Sequence, residues 1–231
     1  MFDFNFLLKE IDIELSDKQL KQFSDYYHFL IEYNEKVNLT AITEEEDVYI
    51  KHFYDSILVS KALDLSKYES LCDVGSGAGF PSIPLKILYP HLKITIIDSL
   101  DKRLTFLKQL TSLLGLDNVT LIHQRAEEYK EGREQFDLVT ARAVAKQAVV
   151  NELCLPLVKV NGYFISMKSK GYEEELEEGN SLNLLDSIVE SIKLFNLPND
   201  NSLRAIILIK KNKKTALKYP RPFAKIKNKS L

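Results

Sequence analysis

Glycines alternate with small residues in Asp73-Val74-Gly75-Ser76-Gly77-Ala78-Gly79-Phe80-Pro81, directly after the short apolar run Ser70-Leu71-Cys72. A periodic apolar segment, Ile83 to Leu88, follows, so the context reads strand, glycine turn, helix. Such a turn brings backbone N–H groups close to a ligand, because glycine adopts conformations that a side chain forbids. Its chemistry is the cradling of a polar cofactor; the alternative is a tight turn with no ligand. The dinucleotide pattern G-x-G-x-x-G needs its third glycine at position 80, where Phe80 stands, which disfavours a nucleotide-dependent oxidoreductase. A second acid supports a cofactor. Lys93-Ile94-Thr95-Ile96-Ile97-Asp98 is a β-rich run ending 23 positions beyond Gly75. In a doubly wound sheet the second strand ends beside the first, where a carboxylate accepts hydrogen bonds from ribose hydroxyls. Asp98 also suits a cap for the helix that starts near Asp101.

An acid leading G-x-G-x-G is similar to motif I of the Rossmann-like S-adenosylmethionine (SAM) methyltransferases. Gly75, Ser76, Gly77, Gly79, Phe80, Asp98 and Ser99 are therefore cofactor candidates. Two later loops fall at the same carboxyl edge of the expected sheet. Gln124-Arg125-Ala126-Glu127-Glu128 would bring its backbone to an adenine edge, or its two acids simply begin a helix in solvent. Thr140-Ala141-Arg142-Ala143 stands where methyltransferases of exocyclic amines carry Asp/Asn-Pro-Pro-aromatic, so an amine acceptor is disfavoured. Arg142 suits a guanine edge, a phosphate or the cofactor carboxylate, or else an internal ion pair.

The elements that must position these groups are readable in outline. Ser16-Asp17-Lys18-Gln19 is a capping box, and Leu20, Phe23, Tyr27, Leu30 and Ile31 give residues 17 to about 36 an amphipathic helical pattern. Thr43-Glu44-Glu45-Glu46 starts a second capped helix, on which His52, Asp55 and Ser56 share one face while Ile50, Phe53 and Ile57 form another. The His52–Asp55 pair reads either as an RNA-facing surface or as a local hydrogen bond that orients the helix. From residue 69 strands alternate with helices: strands near 70–74, 93–98, 118–123, 136–140, 160–168, 188–195 and 203–210, and helices near 81–89, 101–115, 145–157 and 172–186. Alternation of this kind makes a parallel sheet covered on both faces. Only Pro198-Asn199-Asp200-Asn201-Ser202 separates the last two strands, too few residues for a crossover helix, so they pair antiparallel.

At 231 residues, 45 % hydrophobic and 28 % charged, the chain supports a soluble globular core with extensions. No run of about eighteen apolar residues occurs, and Met1-Phe2-Asp3-Phe4 lacks a signal-peptide pattern, so a cytoplasmic protein without membrane contact is expected. Cys72 and Cys154 lie in apolar runs, reading as buried thiols, and the four histidines show no metal-ligand spacing. Charge is unevenly spread. No acid follows Asp200, yet ten Lys and Arg lie between Arg204 and Leu231, leaving 21 basic against 33 acidic residues before them. That split predicts a basic tail for a polyanion, the alternative being a solubilising end.

Taken together the residues resemble one family, the bacterial small-subunit 16S rRNA guanine-N7 methyltransferases, RsmG or glucose-inhibited division protein B. The matching pieces are Asn38-Leu39-Thr40-Ala41-Ile42, His52-Phe53-Tyr54-Asp55-Ser56, the stretch Asp73 to Pro81, Asp98-Ser99, Arg125-Ala126-Glu127-Glu128, Phe136-Asp137, Ala141-Arg142-Ala143 and Tyr219-Pro220-Arg221. The resemblance implies a Rossmann-like SAM-methyltransferase fold with a seven-stranded, mostly parallel sheet, an antiparallel last strand and an N-terminal helical extension. It implies SAM as donor and 16S rRNA, in the small subunit or an assembly intermediate, as partner. It implies SAM contacts by Gly75, Phe80, Ala126, Glu127 and Arg142. Arg142 is also the candidate for positioning the base, and His52, Asp55, Ser56, Arg221, Lys225 and Lys227 are candidates for RNA. The expected divisions are 1–66 (helical extension), 67–212 (methyltransferase domain) and 213–231 (basic tail). Ser82, Ala224 and Ile226 replace the family's usual Gly, Gly and Pro.

Overall fold

The computed structural model describes residues 2–231. Its N-terminal part holds α1 (Phe4–Lys9), α2 (Asp17–Val37), α3 (Glu45–Val48), a π-helical turn over Tyr49–Tyr54, α4 (Asp55–Ile57) and α5 (Val59–Ala62). Ser16 and Gln19 make the reciprocal capping-box bonds that start α2. The expected cap at Thr43 is absent: the position falls on Glu44, whose side chain makes no capping bond. Instead Glu45, Glu46 and Asp47 place negative charge in the first turn, where the backbone dipole favours it.

The sheet comprises β1 (Ser70–Val74), β2 (Lys93–Asp98), β3 (Val119–His123), β4 (Phe136–Arg142), β5 (Val158–Lys168), β6 (Ser187–Asn196) and β7 (Leu203–Lys211). Its order is β3-β2-β1-β4-β5-β7-β6. The first five strands pair in parallel; β7 inserts between β5 and β6 and runs antiparallel to both. The reversal follows from the short connection, where Leu197 N donates to Ser202 O and Asn201 N to Leu197 O. The covering helices are α6 (Ser82–Leu88), α7 (Asp101–Leu113), α8 (Gln147–Cys154), α9 (Tyr172–Glu177), α10 (Ser181–Leu184) and α11 (Phe223–Asn228). The single helix expected over 172–186 is two. Gly179 at φ +81° breaks it, a left-handed conformation that glycine takes without steric cost.

One apolar cluster runs from Phe4 and Phe23 through Phe53 and Phe80 to Ile96 and Leu208, so the N-terminal helices share a core with one face of the sheet. A second cluster under α8 covers the other face and takes in Tyr219 and Ile226. The segment expected as a basic tail is docked on the sheet's covering layer. Arg221 grips Glu152 through Nε and Nη2 at 2.6–3.1 Å, Ile226 is fully buried, and Asn180 N donates to the Leu231 carbonyl. Among the described residues no helix is long and apolar enough to cross a membrane, and no His/Cys/Asp/Glu group is placed to hold a metal. Cys72 and Cys154 are buried free thiols, and burial pushes both thiols up.

Candidate functional site

β1 ends at the glycine turn, which is held from several sides. Gly75 N donates to Ile97 O on β2 at 2.8 Å, and Gly79 N and Phe80 N both donate to Ser76 O at 3.0 Å. Tyr26 of α2 donates its hydroxyl to Ala78 O and stacks on Phe80, centroids 5.5 Å apart. Asp73 is completely buried beneath the turn. Its Oδ2 accepts from Ser82 N at 3.2 Å while Oδ1 has no partner. Burial raises this carboxyl to about 7. Ser82 itself is fully buried, with its Oγ unpartnered.

A cavity of about 440 Å³ opens above the turn. Gly75, Ser76, Gly77, Phe80, Asp98, Ser99, Ala126, Glu127 and Arg142, all predicted for the cofactor, line it. Gly79 does not. A Cβ there would lie 2.7–2.9 Å from Ile83, Tyr26 and Leu107, so this glycine serves close packing under the loop. By contrast nothing stands within 4 Å of a Cβ built on Gly77. Asp98 borders the cavity but is buried and already engaged: Oδ1 accepts from Leu100 N at 2.9 Å, and Oδ2 pairs with Arg103 at 3.2 Å. Ser76 Oγ and Glu127 Oε1 are buried without partners, and desolvation raises the Glu127 carboxyl.

A second cavity, about 540 Å³, adjoins the first, and His52, Arg142, Ala143 and Val144 line both. This common wall is built around Arg142 at the end of β4. Its Nη1 donates to Asp55 Oδ2 at 2.8 Å, Nη2 faces His52 Nδ1 at 3.3 Å, and the guanidinium lies 5.0 Å from the Phe80 ring centroid. Arginine can only donate, so His52 Nδ1 accepts and its proton sits on Nε2, 2.9 Å from Thr40 Oγ1. Burial, then the neighbouring Arg142 charge, lowers His52 to about 3, so the ring is neutral at physiological pH. Arg204 Nε is 3.0 Å from Asp55 Oδ1, an ion pair out of line for a hydrogen bond. Ala143 holds φ +55°, a strained conformation for a residue with a Cβ and one that clusters at functional sites.

The expected direct His52–Asp55 bond is replaced by a bridge through Arg142. The shared polar face is also lost to internal contacts. Ser56 is fully buried and donates to the His52 carbonyl, while Asp55, 4 % exposed, is committed to two arginines. Both are turned to partners within the protein, although Asp55 still borders the second cavity. Arg221 is likewise engaged with Glu152, which is fully buried, whereas Lys225 and Lys227 project from α11 into solvent. Sequence reasoning missed Phe223, which lines the first cavity with Arg125 5.0 Å above its ring. No sequence signal marks it. Thr40 is the opposite case: it belongs to the Asn38–Ile42 motif and lines the cavity, yet spacing alone assigns it no role.

A parallel sheet with one reversed strand, a glycine turn after β1 and an acid at the end of β2 define a methyltransferase of the Rossmann-like, SAM-dependent class. Solved structures agree on the fold. M. jannaschii TYW2 in complex with AdoMet aligns at TM-score 0.53 and 16 % identity, covering 68 % of this chain and 76 % of that one. A point mutant of MtNAS in complex with S-adenosylmethionine aligns at TM-score 0.53 and 15 % identity, covering 81 % and 73 %. The chain belongs to the GidB family, rRNA small subunit methyltransferase G, whose family model matches residues 19–203. The Ribosomal RNA small subunit methyltransferase G of Staphylococcus carnosus is 53 % identical over 219 residues, 93 % of this chain and 91 % of that one. The protein of the same name from Oceanobacillus iheyensis is 56 % identical over 218 residues, 93 % and 92 %.

Proposed function

We propose that this chain transfers the methyl group of SAM to N7 of a guanine in 16S rRNA of the small ribosomal subunit, acting in the cytoplasm. The observation that carries the reading is the wall of His52, Arg142, Ala143 and Val144 common to two cavities, one for cofactor and one for base. The first cavity fits SAM: open space at Gly77, an unpartnered hydroxyl on Ser76 that can accept from a cationic amino group, and Asp98 with Ser99 at the ribose edge. Ala126 and Glu127 form the adenine side, and Gly75, Phe80 and Arg142 close the remainder. When bound, SAM supplies a methyl group already activated on a sulfonium.

The chain's own residues contribute position and exclude proton chemistry. Guanine N7 attacks with an in-plane lone pair and loses no proton, so no general base is needed. The wall offers none: His52 is neutral with Nδ1 occupied, and both oxygens of Asp55 face arginines. Holding two reactants in line is by itself a large part of such a rate. The division into a helical extension (1–66), a catalytic unit (67–212) and a basic C-terminal segment (213–231) then has a rationale. The first contributes Lys51, His52 and Asp55 to the base cavity, and the last brings Phe223 to the cofactor cavity and leaves Lys225 and Lys227 exposed for phosphates. Incubation with labelled SAM and naked 16S rRNA, assembly intermediates or finished subunits, followed by chemical cleavage at 7-methylguanosine, tests this. Label on another atom, or on no RNA at all, would overturn it.

A further inference from the structure

The second cavity contains a group that this function leaves unassigned. Its lining brings together Lys51, Arg142, Lys168, Lys170 and Arg204 with two acids, Asp55 and Glu175, while Val144, Met167 and Ile206 offer apolar faces for a flat ring. Most of the polar groups are already satisfied. Asp55 is held by Arg142 and Arg204, and Lys51 pairs with Asp47 at 2.9 Å. Glu175 is half satisfied: Oε2 accepts from Lys168 Nζ and from Gln147 N, both at 2.7 Å, whereas Oε1 has no partner among the described residues. Asp55 Oδ1 also accepts no hydrogen bond, but it is buried and faces Arg204 Nε at 3.0 Å, so among the described residues Glu175 Oε1 is the solvent-reaching carboxylate oxygen of this lining left without a donor.

Arg142 has complementary capacity. Nη1 is committed to Asp55 and the Lys51 carbonyl, and one Nη2 proton to His52, which leaves Nε–H and a second Nη2 proton. Guanine presents O6 and N7 as acceptors on one edge, with N1–H and the 2-amino group as donors on the opposite side. If N7 faces the wall shared with the cofactor cavity, Arg142 can donate to O6 without consuming the N7 lone pair. The donor edge then points toward the far side of the cavity, where an acceptor is required.

We propose that Glu175 is the guanine-selecting residue, its Oε1 accepting from N1–H and the 2-amino group of the target base while Arg142 donates to O6. The proposal rests on the function proposed above and adds the means of discrimination. Adenine is rejected twice. Its 6-amino group meets the donors of Arg142, and its N1 lone pair meets the Glu175 oxygen. Lys168 and the start of α8 fix the carboxylate from behind, so its orientation does not depend on the base.

Inosine isolates the contact, since it keeps N7, O6 and N1–H and lacks only the 2-amino group. The substrates are small-subunit particles reconstituted on 16S rRNA assembled by splinted ligation, with guanosine or inosine at the acceptor position. The wild-type enzyme should prefer guanosine by about tenfold or more in kcat/KM, the worth of one hydrogen bond to a charged acceptor. Glu175→Gln keeps an oxygen for Gln147 N and turns an amide N–H₂ toward the base, so the preference should collapse to within about twofold while SAM affinity by calorimetry stays unchanged. Glu175→Asp keeps the charge but withdraws it, and should reduce the preference if the Gln variant folds poorly. Wild-type indifference to inosine overturns the assignment, and so does an equal loss on both substrates with the ratio preserved, which marks a structural role. Methylation at N7 with either result sinks this inference alone. Absence of N7 methylation sinks the underlying function and this inference with it.

Discussion

Asp55→Asn is the sharpest test of how the wall between the cavities is held. The carboxylate side chain is 5 % exposed and faces two guanidinium groups, whose side chains are 15 % and 22 % exposed. Asparagine fills the same volume and keeps one acceptor, but it leaves two positive charges close together without a counter-charge. Removing one partner of a fully buried pair costs about 3–5 kcal/mol. The residual exposure of both arginines lowers that to roughly 3 kcal/mol here. For a chain of this length the corresponding fall in Tm is about 6–12 °C. Urea and thermal unfolding of the purified variant measure it. Activity should fall further than stability alone explains, because Arg142 loses the anchor that orients it toward the base. We expect kcat/KM on the RNA substrate to drop by at least about tenfold. SAM affinity should fall less than turnover, since Asp55 lies outside the cofactor cavity and acts on it only through Arg142. A stability loss below about 1 kcal/mol with wild-type turnover would show that Arg142 and Arg204 are held by other contacts, and the reasoning would fail.

Gly79→Ala and Gly77→Ala should separate packing from binding. The first forces a Cβ to 2.7–2.9 Å from three side chains at φ +101°, and we expect a loss of about 3 kcal/mol or more in unfolding. The second, at φ +62° with open space ahead, should lose about 1 kcal/mol and show mainly as weaker SAM binding in calorimetry; equal losses of stability would contradict the distinction. Asp73, raised by burial from 3.8 to about 7, binds a proton in the folded but not the unfolded chain across that window. Its contribution to stability therefore declines as pH rises from about 4 to about 7, and urea titrations of Asp73→Asn should show a flatter pH dependence than wild type. Replacing Lys225 and Lys227 with Gln should flatten the dependence of log affinity for 16S rRNA on log salt by up to about two units, with SAM binding unaffected; an unchanged slope would exclude α11 from phosphate contact.

The strands of this protein were legible from sequence almost to the residue. Lys93–Asp98 and Ser70–Val74 matched the expected bounds, and the short connection after Asn196 foretold the reversed strand. These features rest on local physics: apolar periodicity, glycine conformations, and a connection too short for a crossover. The break at Gly179 was equally local, and its Glu-Gly-Asn-Ser signal was in plain sight.

What sequence could not supply were partnerships made across the fold. Asp55 meets Arg142 87 positions away, and Arg221 meets Glu152 at 69. Spacing along a helix put His52, Asp55 and Ser56 on one face, but it could not say that the arginine at the end of β4 would arrive to bridge His52 and Asp55. The number of charges after Asp200 was similarly certain, while the docking of that segment was not. Burial of Ile226 and the placement of Phe223 at the cofactor cavity depend on the surface that α8 and the loop after β3 present together. Sequence thus determined the elements and the glycine cradle, because their causes lie within a few residues of one another. Tertiary structure decided which charged groups are free to meet RNA and which are already neutralised inside the protein, because a charge's availability depends on partners that only folding brings near.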